Sequence, residues 1–280
     1  MFSLTYIVIH LRSYKMIKVA SLRYGVIFKK AFSPPHIFNA FVQDILGIQF
    51  NTDRVETEKS FSPSIGKVDS HFDLFAEDKK HRIIVDIQHA RHTDHYHRFL
   101  HYHCVALLEQ IANSHNYHPE LIVYTIVILT SGDRHKVDIA EIDFDPKDRY
   151  GKGLGEVKHK IIYICPKYVS DDTPIAYQDW LRAINDSLDE EVNEKDYQRS
   201  EIQEIFECIQ SDHTTPQEYA RMKAEYSNNE LLKNKYEKGI EKGMKKVALN
   251  LIKKGVDLDV VAEVSDVSIE QVKQWQEEVQ

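Results

Sequence analysis

The stretch from Val68 to Gln88, VDSHFDLFAEDKKHRIIVDIQ, constrains the fold more than any other part of the chain. Its pattern is that of two short strands joined by a polar turn. Val68 to Ala76 carries Phe72, Leu74 and Phe75, and Arg82 to Gln88 is dense in Ile83, Ile84, Val85 and Ile87. Between them, Glu77, Asp78, Lys79, Lys80 and His81 form a charged run without an apolar residue, as a hairpin tip requires. Side chains alternate along a strand, so Asp86 and Gln88 point to the face that carries Ile84. Asp73, on the partner strand, joins them where the pairing register allows. Two carboxylates and an amide then converge on one sheet face, an unusual load for strands otherwise so apolar.

At 280 residues, one main domain with an appendage is expected, and 42% hydrophobic with 29% charged residues is an ordinary soluble composition. Cys104, Cys165 and Cys208 are far apart and match no metal-ligand spacing, so free thiols in a reducing cytoplasm are expected. MFSLTYIVIHL at the start is too short to span a bilayer and lacks the flanks of a signal peptide, so no membrane partner is expected. Residues 1–15 read as an N-terminal extension before a second start at Met16.

The net charge of −8 argues against a surface coated in nucleic-acid-binding cations, but the charge is unevenly spread. Residues 185–212 hold ten acidic and two basic side chains, whereas Lys233 to Lys254 holds eight lysines against two glutamates. Affinity for nucleic acid must therefore come from local patches.

In chain order, Met16 to Tyr24 is a mixed lead-in. Ser33-Pro34-Pro35 opens a helix with Ile37, Phe38, Phe41, Ile45 and Leu46 on one face, and Gly47 stops it. Residues 54–62 form a strand before the hairpin, on which Glu56 or Glu58 offers a third carboxylate or simply a solvated face. Thr93 or Asp94 caps a helix from Tyr96 to Ile111. Leu121–Leu129 is a strand covered on both faces, and His135–Phe144 and Lys158–Cys165 are strands too, giving a mixed sheet of four to six. The intervening loop, with Gly151, Gly153 and Gly155, lacks the context of a dinucleotide loop and reads as a flexible turn. From Pro174 the chain turns helical, through Tyr177, Trp180, Leu181, Ile184 and Leu188, the acidic segment and residues 199–210. A charged helix from Thr215 to Lys238 leads to KGIEKGMKK, where Gly239 and Gly243 suggest a pliable linker. Three short helical units close the chain, as a helix-turn-helix or a small oligomerisation module. The expected divisions are the extension 1–15, a main domain 16–190, an acidic-to-basic helical linker 191–244 and a helical tail 245–280.

Asp73 and Asp86 on neighbouring strands suit a hard divalent cation such as Mg2+, which takes oxygen ligands and leaves positions for water and a phosphate oxygen. Gln88 would orient the water or touch the phosphate. The histidines after the hairpin, His89, His92, His95, His97, His101 and His103, offer a competing metal site. His97 and His101 stand four apart on one helical face, but no glutamate follows His97 and no third ligand is evident. Arg98 lies beside them as a phosphate contact or as half of a surface ion pair.

The run FDLFAEDKKHRIIVDIQ followed by DHYHRFLHYHCVALLEQ resembles the PD-(D/E)xK nuclease superfamily, and within it the Rpn (recombination-promoting nuclease), or nuclease-family transposase, branch. LRYGVIFKKAF, VETEKSFSPSIGKVDSHFD, the lysine-glycine repeat and the helical tail add to the likeness, which spans Met16 to about Leu188 and more loosely the tail. The resemblance implies a restriction-endonuclease-like α/β fold, a mixed β-sheet core flanked by helices with an all-α C-terminal extension. It also implies magnesium-dependent DNA cleavage in recombination or mobile-element biology. Asp73 matches the motif's first acid, Asp86 stands at its Glu or Asp, and Gln88 takes the place of its lysine. Glutamine in that place is seen within this branch, yet it removes a cation that would stabilise charge in the transition state. The acid that some members carry on the first helix is unassigned, with Asp44, Glu56 and Glu58 in its vicinity. DNA is the expected partner, and a homodimer is an open expectation because cutting both strands commonly needs two centres. The alternative is a catalytically silent DNA-binding or assembly protein on the same scaffold, acting through its tail.

Overall fold

The computed structural model describes residues 16–61, 70–89, 95–111 and 117–277. The chain divides into two compact units, the first ending at Met222 and the second beginning at Lys223.

In the first unit, β1 (Ile17–Lys18) leads to two helices, α1 (Gly25–Phe32) and α2 (Pro35–Leu46). A proline opens α2 and Gly47, in the left-handed region at φ 62°, ends it as expected. The strands β2 (Glu56–Ser60), β3 (His71–Glu77) and β4 (His81–Gln88) follow. Val68 lies outside the described residues, as do His92, Thr93 and Asp94 before α3 (His95–Leu108). Next come β5 (Ile122–Leu129), β6 (Ile139–Asp143), β7 (Lys160–Ile164), α4 (Ile175–Asp186), β8 (Glu191–Val192) and α5 (Ser200–Cys208). The 145–156 loop is tied rather than loose, because the Asp145 carboxylate accepts the backbone N–H groups of Gly155, Glu156 and Val157.

One sheet organises the unit, with strand order β2-β3-β4-β5-β7-β6. β4, β5 and β7 run parallel, while β2, β3 and β6 attach antiparallel. The parallel strands are buried on both faces, which is why they are nearly continuous in β-branched residues. Alternation along β4 decides which helices lie where. Ile83 and Val85 pack with α1, α2, α4 and α5 through Phe28, Phe32, Phe41, Trp180 and Phe206. Ile84 faces the other way and packs under α3, with Phe99, Tyr102 and Ala106. Two elements have no local signal: β1 and β8 are two residues each and exist by pairing Ile17 with Val192 and Lys18 with Glu191.

The long helix α6 (Pro216–Lys253) starts on a reciprocal cap. The Glu218 N–H donates to Thr215 Oγ1 at 3.2 Å, and the Thr215 N–H donates to Glu218 Oε2 at 2.7 Å. It runs unbroken through Gly239 and Gly243, where the sequence predicts a linker. Each glycine weakens a helix by about 1 kcal/mol, and the flanking Lys and Glu residues are strong helix formers that outweigh it. In the second unit, α7 (Leu258–Ser265) and α8 (Ile269–Glu277) close a small core of Ala248, Val261, Ala262, Val272 and Trp275. Among the described residues, no helix is long and apolar enough to cross a membrane.

Candidate active site

The ladder between β3 and β4 runs from Glu77↔Arg82 to Leu74↔Val85 and stops there. One step further, Asp73 stands across from Asp86, and the strands part. Side chains take over the pairing. The Asp73 N–H donates to Asp86 Oδ1 at 3.2 Å, and the Ile87 N–H donates to Asp73 Oδ2 at 3.1 Å. Each strand end is thus held by the other strand's carboxylate, and both carboxylates sit in the fork. This juxtaposition answers the question of register that the sequence leaves open.

Asp86 is only 5% exposed, on the face covered by α3. Burial, followed by the charge of Asp73, holds its pKa well above the usual carboxylate value. The N–H of Asp73 and the charges of Arg98 and Lys29 pull the other way without prevailing. Its second oxygen, Oδ2, is buried without a hydrogen-bond partner, and so is Oε1 of Gln88 two residues on. Two acceptor oxygens without donors, beside a second carboxylate, are the donor set that a hard cation fits. Gln88 continues the parallel ladder opposite Leu129, and its carbonyl accepts the Thr130 N–H at 3.0 Å. Its backbone is therefore fixed while its side-chain oxygen is unsatisfied.

Arg98 lies on the exposed side of α3, with Nε donating to the Tyr102 hydroxyl at 3.2 Å and its guanidinium over the Tyr102 ring. Its charge reaches Asp86, so it belongs to the electrostatic surroundings of the fork. Beyond Gln88, burial and then the charge of Arg23 lower the pKa of His89, which favours its neutral form.

Two further participants come from β2 and α1, and of these only Glu58 is a candidate in the sequence. On β2, the pairs Thr57↔Leu74 and Lys59↔Phe72 place Glu58 opposite Asp73, so three carboxylates stand in one row across three strands. Glu58 has φ 55°, a left-handed backbone that is strained for a residue with a Cβ. From α1, Lys29 Nζ donates to Asp73 Oδ1 at 3.0 Å and to Glu58 Oε1 at 2.5 Å. Burial opposes the charge on Lys29, but Asp73 and Glu58 outweigh it and raise its pKa above the usual lysine value. Sequence reasoning misses Lys29 altogether; FKK in a short apolar segment is the only local hint.

The other candidate acids are occupied elsewhere. Asp44 Oδ2 accepts from Trp180 Nε1 at 2.7 Å and pairs with Arg199, and Glu56 pairs with Lys59. On α3, His97 is exposed, and His101 Nε2 is buried without a partner. Among the described residues, no cluster of three or more His, Cys, Asp and Glu side chains is disposed to hold a metal ion. A cation at the fork would draw on Asp73, Asp86 and the Gln88 oxygen, with Glu58 in the same row. No protein-family model, curated protein or solved structure matches the chain.

Proposed function

We propose that this chain is a divalent-cation-dependent DNA endonuclease of the PD-(D/E)xK kind, related to the Rpn branch and to recombination or mobile-element activity. The observation that carries the reading is the fork, where Asp73 and Asp86 face each other and Asp86 Oδ2 and Gln88 Oε1 have no donor. The mixed sheet with helices on both faces is compatible with a restriction-endonuclease-like core, whose reacting groups sit on such a hairpin.

Asp73, Asp86 and Gln88 would hold the cation. A magnesium ion, when bound, supplies positive charge against phosphate oxygens and makes water more acidic. The chain's own residues set the geometry. Backbone N–H groups of Asp73 and Ile87 fix one oxygen of each carboxylate; the second oxygen of Asp86 has no donor, and that of Asp73 accepts from Lys29. The Gln88 amide has an oxygen for the cation and N–H donors for a water or phosphate oxygen. Arg98 adds a guanidinium on the same side, suited to the nucleic-acid backbone.

Supercoiled plasmid incubated with magnesium or EDTA tests the proposal. Magnesium-dependent nicking that Asp73→Ala and Asp86→Ala each abolish is the expected result. Intact plasmid with a salt-sensitive mobility shift would instead make the chain a DNA-binding protein without cleavage.

A further inference from the structure

The motif position that bears lysine in the resembled nucleases holds Gln88 here, yet an ammonium reaches the carboxylates from a different element. We propose that Lys29 of α1 takes that lysine's place: it neutralises Asp73 and Glu58 while no divalent cation is bound, and pairs with a phosphate oxygen of the nucleic acid once one is. This deepens the nuclease reading and rests on it for the second of the two roles.

Position and charge both support the assignment. The helix under Lys29 is immobilised, since Ile27, Phe28, Ala31 and Phe32 are at most 1% exposed, so its Cα is fixed and a four-carbon stem carries the ammonium to the two acids. The ammonium lies between an inner partner, Asp73, and an outer one, Glu58, whose side chain is 61% exposed. It therefore bridges a sheltered acid and an exposed one in the row of the fork. A divalent cation on Asp73 and Asp86 would offset the same negative charge that Lys29 offsets, so the two compete for Asp73. Displaced from it, Lys29 retains a route outward along Glu58. Its neighbour Lys30 does something else: its Nζ donates to the His213 carbonyl at 2.8 Å and pairs with Glu218, away from the fork. That makes Lys30 an internal control.

The test uses the full chain carrying Lys29→Met, Lys29→Arg, Lys30→Met, and Lys29→Met combined with Gln88→Lys, each first checked for a folded melting transition. Calorimetric titration with Ca2+ or Mg2+ alone reads the first role: Lys29→Met binds the ion about fivefold more tightly than wild type, and Lys30→Met binds it equally. Fluorescence anisotropy of a DNA duplex in Ca2+ reads the second, with the slope of log affinity against log salt falling by about one in Lys29→Met. Nicking falls by about 100-fold in Lys29→Met. It recovers at least in part in Lys29→Arg and in the variant that returns a lysine to position 88. Unchanged or weaker ion binding by folded Lys29→Met overturns the counter-ion role. A Gln88→Lys combination no better than Lys29→Met alone overturns the role toward phosphate. If wild type cleaves nothing while Lys29→Met tightens ion binding, the nuclease reading fails, the phosphate role falls with it and the counter-ion role stands. If wild type cleaves and Lys29→Met matches it in cleavage and ion affinity, the nuclease reading stands and the role of Lys29 fails.

Discussion

Replacing Asp86 with asparagine should make the protein more stable and less active at once. Asparagine keeps the acceptor that the Asp73 N–H uses at Oδ1. It removes a charge that burial and Asp73 disfavour, and puts a neutral amide group where the carboxylate oxygen Oδ2 has no partner. The attractions lost, to Arg98 and Lys29, are smaller than those two opposing effects. Leaving a buried acceptor unsatisfied costs about 1–3 kcal/mol, and more when it is charged, so replacing the charged oxygen with a neutral amide recovers part of that cost. At about 2 kcal/mol, the melting temperature of a unit this size rises by about 4–8 °C. The sign with pH follows from a folded pKa raised above the unfolded one. Wild type is favoured by this group at low pH and loses stability as pH rises through the folded value, so the advantage of Asp86→Asn grows upward from about pH 4. Thermal unfolding in EDTA from pH 5 to pH 9 measures it. Added magnesium should close the gap, stabilising wild type by about 2.7 kcal/mol at a hundred times its dissociation constant and the variant far less. A variant that melts at or below wild type in EDTA at high pH would show that Asp86 is a well-satisfied structural carboxylate, and the reasoning would fail.

Two further perturbations probe the scaffold. His103 is fully buried, with Nδ1 on Thr125 Oγ1 at 2.9 Å and Nε2 unpartnered, and burial and then His159 push its pKa down to about 3. Because the folded pKa lies below the unfolded one, its stabilisation is full above about pH 6.5 and is lost as pH falls. Between pH 7.5 and 5 this one residue should remove about 2 kcal/mol, and His103→Gln should flatten that part of a urea-denaturation profile; an unchanged slope would refute it. Gly239 and Gly243 lie inside α6, and a Cβ at either would meet nothing within 4 Å. Gly239→Ala with Gly243→Ala should therefore strengthen the helix by about 1 kcal/mol each and raise helical circular dichroism on heating. No change would restore the linker reading.

The hairpin was legible because its signals are local. β4 begins at His81, one residue before the predicted start, since β-branched density and the charged run mark both ends. Asp73, Asp86 and Gln88 were readable as candidates for the same reason, and their spatial relation needed only a register. What escaped depends on distant partners. α1 is an eight-residue helix opened by glycine without a side-chain cap, so neither periodicity nor capping announces it, and Lys29 goes unseen with it. Glu58 was visible as an acid, but its place beside Asp73 follows from the β2–β3 pairing and a left-handed backbone that no residue type here foretells. The strand pair β1–β8 and the continuity of α6 through two glycines are likewise tertiary outcomes that override weak local preferences.

Manganese bound to crystals of the wild-type protein, located by anomalous scattering, addresses the central claim most directly. The expected peak lies within about 2.5 Å of one oxygen from each of Asp73 and Asp86, and it disappears in Asp86→Asn. A peak at His97 and His101 instead, or a fork without manganese in a protein that still nicks DNA, would contradict the assignment of these two aspartates as the cation's ligands.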